Sequence, residues 1–320
     1  MTADQITYSL FGVLILVALV FDLGLLSKKT AEITIKKALW QTIFWVSLAL
    51  AFMAFVWYEY NQQTAIEYLS AYLTEWSLSI DNIFVFILIF SFFGVKEKYI
   101  ARVLLIGILM AIVFRVIFIT VGIALVERFG FLLYIFGAIL VFTGIKMFVA
   151  KQSEEVNLSE NKVYNLMRRV LPLVHDDGDG KFTVRRNGKK YYTSIFVVVV
   201  MLATTDIVFA LDSIPAVFGI STHRVVIYTS NIFAVLGLRS LFFLLRGAVG
   251  KFAYLQQGIA IVLVFIGLKM LVEFFNIHIP IVISLLVILV CLVTSMVYSV
   301  SVTGKADKEI AKKADDIDLH

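Results

Sequence analysis

Apolar stretches separated by short polar breaks run the length of the chain. Each stretch is close to or longer than the roughly 20 residues a helix needs to cross a bilayer. The runs near 6–26, 40–58, 70–93, 101–126, 130–150, 193–219, 224–247, 255–275 and 278–303 predict nine transmembrane helices. One long polar interruption, 151–192, has a different pattern. Its turn pair Asn187-Gly188 lies between "FTVRR" and "KKYYT", which predicts a two-stranded hairpin preceded by a short amphipathic helix. The run "HDDGDGKF" at 175–182 resembles half of a calcium loop, but the bidentate Glu that closes such a loop is missing, so it reads as a solvated turn. The tail "GKADKEIAKKADDIDLH" mixes charges and is expected to fray at the membrane surface.

Composition sharpens this picture. The 320 residues are 61% hydrophobic and 16% charged, with a mean hydropathy of +0.94, outside the range of soluble domains. A single cysteine, Cys291, excludes a disulfide framework and thiolate metal clusters. The N-terminus lacks a positive n-region and a cleavage site, so the first helix is expected to be retained. With the N-terminus outside and the C-terminus inside, 22 of the 28 Lys and Arg fall in cytoplasmic segments, as the positive-inside rule requires. The formal charge of +5 therefore records topology, and no nucleic-acid partner is expected.

Carboxylates inside apolar helices are expensive and mark function. "EWSLSIDNIFVF" carries Glu75 and Asp81, and "TTDIVFALDSIPAVF" carries Asp206 and Asp212 at the same spacing of six. The echo continues downstream. "RVLLIGILMAIVFR" and "RVVIYTSNIFAVLGLR" each end on an arginine, Arg115 and Arg239, and "LVFTGIKMFV" matches "LVFIGLKMLV" at seven of ten positions, including Lys146 and Lys269. Each copy spans three helices, so adjacent copies cross in opposite senses, an inverted repeat typical of secondary transporters. The predicted fold is an all-α membrane protein with two inverted three-helix repeats and a short cytoplasmic hairpin. It divides into two N-terminal helices (1–69), the first repeat (70–150), the hairpin loop (151–192), the second repeat (193–275), a last helix (276–304) and a cytoplasmic tail (305–320).

On a straight helix, acids six residues apart stand about 9 Å apart along the axis and about 120° apart around it, too far to share one small ion. Pro215 removes a helix hydrogen bond to Leu211 and is expected to free a carbonyl beside Asp212. The candidate ligands are Glu75, Asp81, Asp206 and Asp212, with Asn82, Ser213 and Asn231 as supplements. These hard oxygen donors favour Mn2+, Ca2+ or Mg2+ over zinc or copper, and do not rank the three. The alternative is structural: the acids pair with Arg115 and Arg239 and hold helices together. A mixed role has arginines, metal and protons competing for the same carboxylates. Asp22 reads as an interfacial acid, Glu273 and His278 as solvated, "SLFFLL" (240–245) as lipid-facing and packing surface, and the Tyr and Trp at 57, 58, 60, 72 and 76 as an outer aromatic belt.

"EWSLSIDNIFVF", "TDIVFALDSIPAVF", "TSNIFAVLGLRSLFFLL" and "NGKKYYTSIF" resemble the TerC family, in particular its Alx-like members, over nearly the whole chain. The resemblance implies an inner-membrane protein of a family named for tellurite resistance, with members linked to Mn2+ export and to metal supply for secreted enzymes. Its motif acids carry over as Glu75, Asp81, Asp206 and Asp212. Many members have Glu three residues before the first acid of the second motif, whereas here that position is Ala203. The leading expectation is a multi-pass inner-membrane exporter of divalent metal, foremost Mn2+, working by alternating access, with Mn2+ as substrate and no permanently bound cofactor. The alternative is a membrane-protein insertion or assembly factor with protein partners in the bilayer, for which the 151–192 ribbon and the tail matter more than the acids. No protease, serine-nucleophile or Cys/His motif points to an enzyme.

Overall fold

The computed structural model describes residues 3–26, 34–149, 162–174, 176–186, 188–246 and 254–317; the side chains at 3, 21–26, 81, 84, 162, 300 and 303–317 lie outside that description. Ten helices and one hairpin follow in order: α1 (Ala3–Leu26), α2 (Ile35–Glu59), α3 (Gln62–Phe92), α4 (Glu97–Arg128), α5 (Leu132–Val149), α6 (Lys162–Val170), β1 (Thr183–Arg186), β2 (Lys189–Tyr192), α7 (Ser194–Phe218), α8 (Arg224–Leu245), α9 (Leu255–Val272) and α10 (Ile281–Ile317). Eight helices are long and apolar enough to cross a membrane, and α1 adds a shorter apolar stretch, Asp4–Val20, among the described residues. All nine predicted apolar helices therefore form.

Helix ends follow capping rather than hydropathy. The prediction starts α3 at 70, but the helix begins at Gln62, because the Asn61 side chain accepts a hydrogen bond from the Thr64 amide at 2.8 Å. A hydropathy window registers the apolar core of a helix and misses a polar first turn. At the other end of the chain α10 stays helical to Ile317, where the sequence suggested a frayed tail. The helix α7 likewise runs unbroken through Pro215, and α3 is continuous, so neither acid-bearing helix opens its backbone as expected for a discontinuous helix.

The helix α8 is the centre of the bundle, packed against α2, α3 and α4, while α7 packs on α3, α4 and α5. Its apolar residues point in every direction, the signature of a helix enclosed by others. Ser240, Leu241, Phe242, Phe243 and Leu245 are accordingly buried, so the "SLFFLL" run is core and not lipid-facing surface. Tyr72 also leaves the expected aromatic belt: it is 3% exposed and stacks on Tyr68, whereas Trp57 and Tyr58 remain exposed.

The pair α5 and α9 packs antiparallel at backbone distance. A Cβ on Gly267 would stand 2.6 Å from the Gly137 carbonyl oxygen and 2.9 Å from Val141, and one on Gly144 would stand 2.8 Å from the Ala260 oxygen and 2.7 Å from Val264. Apolar helices in lipid gain little from the hydrophobic effect, so such close approach by small residues supplies their association. Gly267→Ala should lower stability by about 1–3 kcal/mol, because the obstructing atoms are backbone and cannot rotate away; thermal denaturation of the purified protein in detergent checks this.

The hairpin forms as predicted, with Arg186 opposite Lys189 and Gly188 at φ 77° in the turn; Asn187 lies outside the described residues, as does His175. The "HDDGDGKF" segment is more than a solvated turn. Asp176 and Asp177 accept hydrogen bonds from the amides two residues on, Asp176 pairs with Arg186, and Asp177 pairs with Lys96 at 2.7 Å. Gly180, at φ 81°, lets the Tyr99 ring pack where a Cβ would stand, so the loop docks on the first turns of α4. The Lys96 ammonium holds the Asp177 carboxyl below its usual range, and Asp177 holds Lys96 above its own. A carboxylate with a depressed folded pKa stabilises above its ordinary value, here 3.8, and loses that contribution as the pH falls through the folded value; the lysine's share is lost only as the pH rises above 10.5. Docking should be unchanged from neutral pH to about 4 and loosen below it, read as faster amide exchange over 178–181 after correction for the intrinsic rate.

Candidate functional site

Four helices converge on one guanidinium. Arg115, from the middle of α4, is 1% exposed. It binds Asp206 of α7 bidentately, with Nε to Oδ2 at 3.0 Å and Nη2 to Oδ1 at 2.9 Å. Its Nη1 donates to Glu75 Oε1 of α3 and to Asn231 Oδ1 of α8, the latter at 3.2 Å. Asn231 in turn donates to the Ile227 carbonyl at 3.0 Å, which fixes its oxygen toward the arginine. The planar fork of Arg suits this geometry and a lysine would not. Glu75 and Asp206 are each 1% exposed, and Glu75 Oε2 has no hydrogen-bond partner among the described residues. With both carboxylates ionised the cluster carries a net charge of −1, held where water does not reach.

Asp212 is placed differently. It is half-buried and faces a cavity of about 270 Å³ between α3, α5, α7 and α9, where Thr143 donates to its Oδ1 at 3.2 Å. The cavity also receives Asn82, Ser213, Lys146 and Gln256. Asn82 and Ser213 are nearly inaccessible at 3% and 1%, and Ser213 Oγ has no partner among the described residues. Leu78 and Phe209, which stand at matching positions of the two acid motifs as Asn82 and Ser213 do, line the same space. Neither Arg115 nor its two acids is among the lining residues.

The candidate residues thus separate into a locked cluster (Glu75, Asp206, Arg115, Asn231) and an open one (Asp212, Asn82, Ser213). Asp81 lies on α3, but its side chain is outside the described residues, as is that of Asp22. Arg239 is buried at 3% in α8, and Pro215 is buried in α7. Among the described residues no three His, Cys, Asp or Glu side chains gather into a metal-ligand group, and the described oxygen donors that share the cavity with Asp212 are Asn82, Thr143, Ser213 and Gln256. Sequence reasoning missed Thr143 and Gln256. Thr143 had a signal: it stands where the second copy has Ile266, a lone polar substitution within the seven-of-ten match.

Comparison with known proteins finds relatives among integral membrane proteins. The profile of the integral membrane protein TerC family matches residues 60–307. A Myxococcus xanthus protein described as the uncharacterized membrane protein STKORF319 is 44% identical over 81% of this chain and 81% of its own. The Alx protein of Salmonella typhi, which bears a provisional description as a membrane-bound redox modulator, is 40% identical over 94% of this chain and 95% of its own; its Escherichia coli K12 counterpart is 39% identical over 93% and 95%. No solved structure matches the chain. With eight apolar spans and a family match over most of its length, this chain is a multi-pass integral membrane protein and belongs to the TerC family.

Proposed function

We propose that the protein exports a divalent cation, Mn2+ first, across a bacterial inner membrane by alternating access between two inverted repeats, with its N-terminus outside and its C-terminus and hairpin in the cytoplasm. The observation that carries the reading is the cavity at Asp212: a carboxylate on a helix long and apolar enough to cross a membrane, facing a space that Asn82, Thr143, Ser213 and Gln256 also line, while Arg115 holds a second pair of acids on the same helices α3 and α7. A carboxylate on such a helix is costly unless something binds it.

Two further features support the repeat architecture. The close contacts of α5 and α9 are reciprocal: Gly144 meets Ala260 and Val264, and the matching Gly267 meets the matching Gly137 and Val141. That is the pattern of an isologous, two-fold contact, here within one chain. Residues at matching positions, Asn82 with Ser213 and Leu78 with Phe209, meet at one cavity, where a site between repeats is expected. In this scheme Arg115 partly neutralises Glu75 and Asp206 when no cation is present, and a proton or metal arriving there competes with it, which makes exchange with protons natural. The redox description of the Alx relatives finds no dithiol here, since the chain has one cysteine.

The folded hairpin, docked through Lys96 and Tyr99, favours a second reading as an assembly factor with membrane-protein partners. Mn2+ flux in proteoliposomes separates the two. The exporter reading expects flux in wild type and its loss in Asp81→Asn and Asp212→Asn at equal reconstitution. A silent wild type, or variants that transport normally, moves the assembly reading to the front.

A further inference from the structure

The lysines repeated in "LVFTGIKMFV" and "LVFIGLKMLV" have no role in the scheme so far. Lys146 occupies the last turn of α5, where a cation complements the helix dipole and a long side chain can snorkel to the interface. That placement alone explains a lysine somewhere near the end of α5. It does not explain the face it occupies. Thr143, one turn earlier on the same face, is the residue that donates to Asp212, and Lys146 lines the same cavity. It is the one cation among the described lining residues, and its own exposure leaves the side chain room to swing. Its counterpart Lys269 is instead half-buried and acts electrostatically on Glu67 and Glu273, so the two copies hold their lysines in different charge surroundings.

We propose that Lys146 is a tethered counter-cation for the Asp212 site: its ammonium offsets the carboxylate across the cavity when the site is empty, and an entering divalent ion displaces it. This rests on the exporter reading and adds to it a reason why the empty carrier can reorient. A bare carboxylate within the bilayer resists any movement that strips its remaining water. With Lys146 turned in, the charge of Asp212 is offset in the empty site. With a divalent ion bound, the lysine swings out toward the cavity mouth. The lysine is thus a competitor covalently fixed at high effective concentration, and it weakens cation binding as it assists the return step.

The test is Mn2+ binding by calorimetry to the purified full chain, comparing wild type with Lys146→Met and Lys146→Arg, each checked for monodispersity. Mn2+ should bind Lys146→Met at least about tenfold more tightly than wild type, since a fixed like charge is removed, and Lys146→Arg should stay near wild type. In proteoliposomes Lys146→Met should keep Mn2+/Mn2+ exchange and lose net flux, a split that a purely structural lysine would not produce. Equal or weaker Mn2+ binding by Lys146→Met, with wild type binding normally, overturns the counter-cation and leaves the exporter intact. No Mn2+ binding by either protein removes the exporter reading and this inference together. Binding by Lys146→Met alone supports the inference, because the lysine then fills the site in wild type.

Discussion

Arg115→Met should destabilise the protein by about 3–5 kcal/mol, the largest effect expected of any single substitution in the chain, because it strips the partner from two buried carboxylates at once. Asp206 would lose a bidentate pair and Glu75 the bond that its Oε1 accepts, at a place where both are 1% exposed. Thermal denaturation in detergent should show the loss as a large drop in midpoint, or as a protein that no longer elutes as one species. The triple variant Arg115→Met, Glu75→Gln, Asp206→Asn provides the control. Neutralising the whole cluster is far cheaper than breaking it, so stability should return in large part. If Arg115→Met alone were as stable as wild type, the cluster would not be holding α3, α4, α7 and α8 together.

The second large effect falls on activity and not on folding. Asp212→Asn keeps the shape of the side chain and an oxygen to accept from Thr143, so the midpoint of denaturation should move little. Mn2+ flux should fall by more than about 100-fold, since loss of a group that merely orients a metal ligand already costs roughly 10–100-fold. Thr143→Val removes such an orienting group and should land inside that smaller range. Initial rates in proteoliposomes, normalised to incorporated protein, measure both. Wild-type rates in Asp212→Asn would return the acids to a structural role.

Much of the fold was legible because a bilayer imposes a simple code. The nine apolar runs became helices, and the Asn187-Gly188 pair marked the hairpin. The code fails where polar groups decide. The start of α3 depends on the Asn61 cap, and the burial of "SLFFLL" depends on α8 being ringed by other helices, which a hydropathy profile cannot distinguish from exposure to lipid. At the site the sequence names four acids, two arginines and the alternative that they pair, but not which acid meets which arginine. Arg115 reaches Glu75, 40 positions away, and Asp206, 91 positions away; no local spacing encodes that choice. Thr143 is the exception, visible as the mismatch with Ile266.

The span between Arg115 and Asp206 also sets a timetable for biosynthesis. At about 5–20 residues per second, the ribosome adds the 91 residues that separate them in roughly 5–18 s. Throughout that interval Glu75 is the only one of the two acids paired with Arg115 that has been synthesised. The half-made chain therefore passes through a stage whose charge pairing is incomplete, and it is during those seconds that insertion machinery or membrane proteases have their best opportunity to act on it.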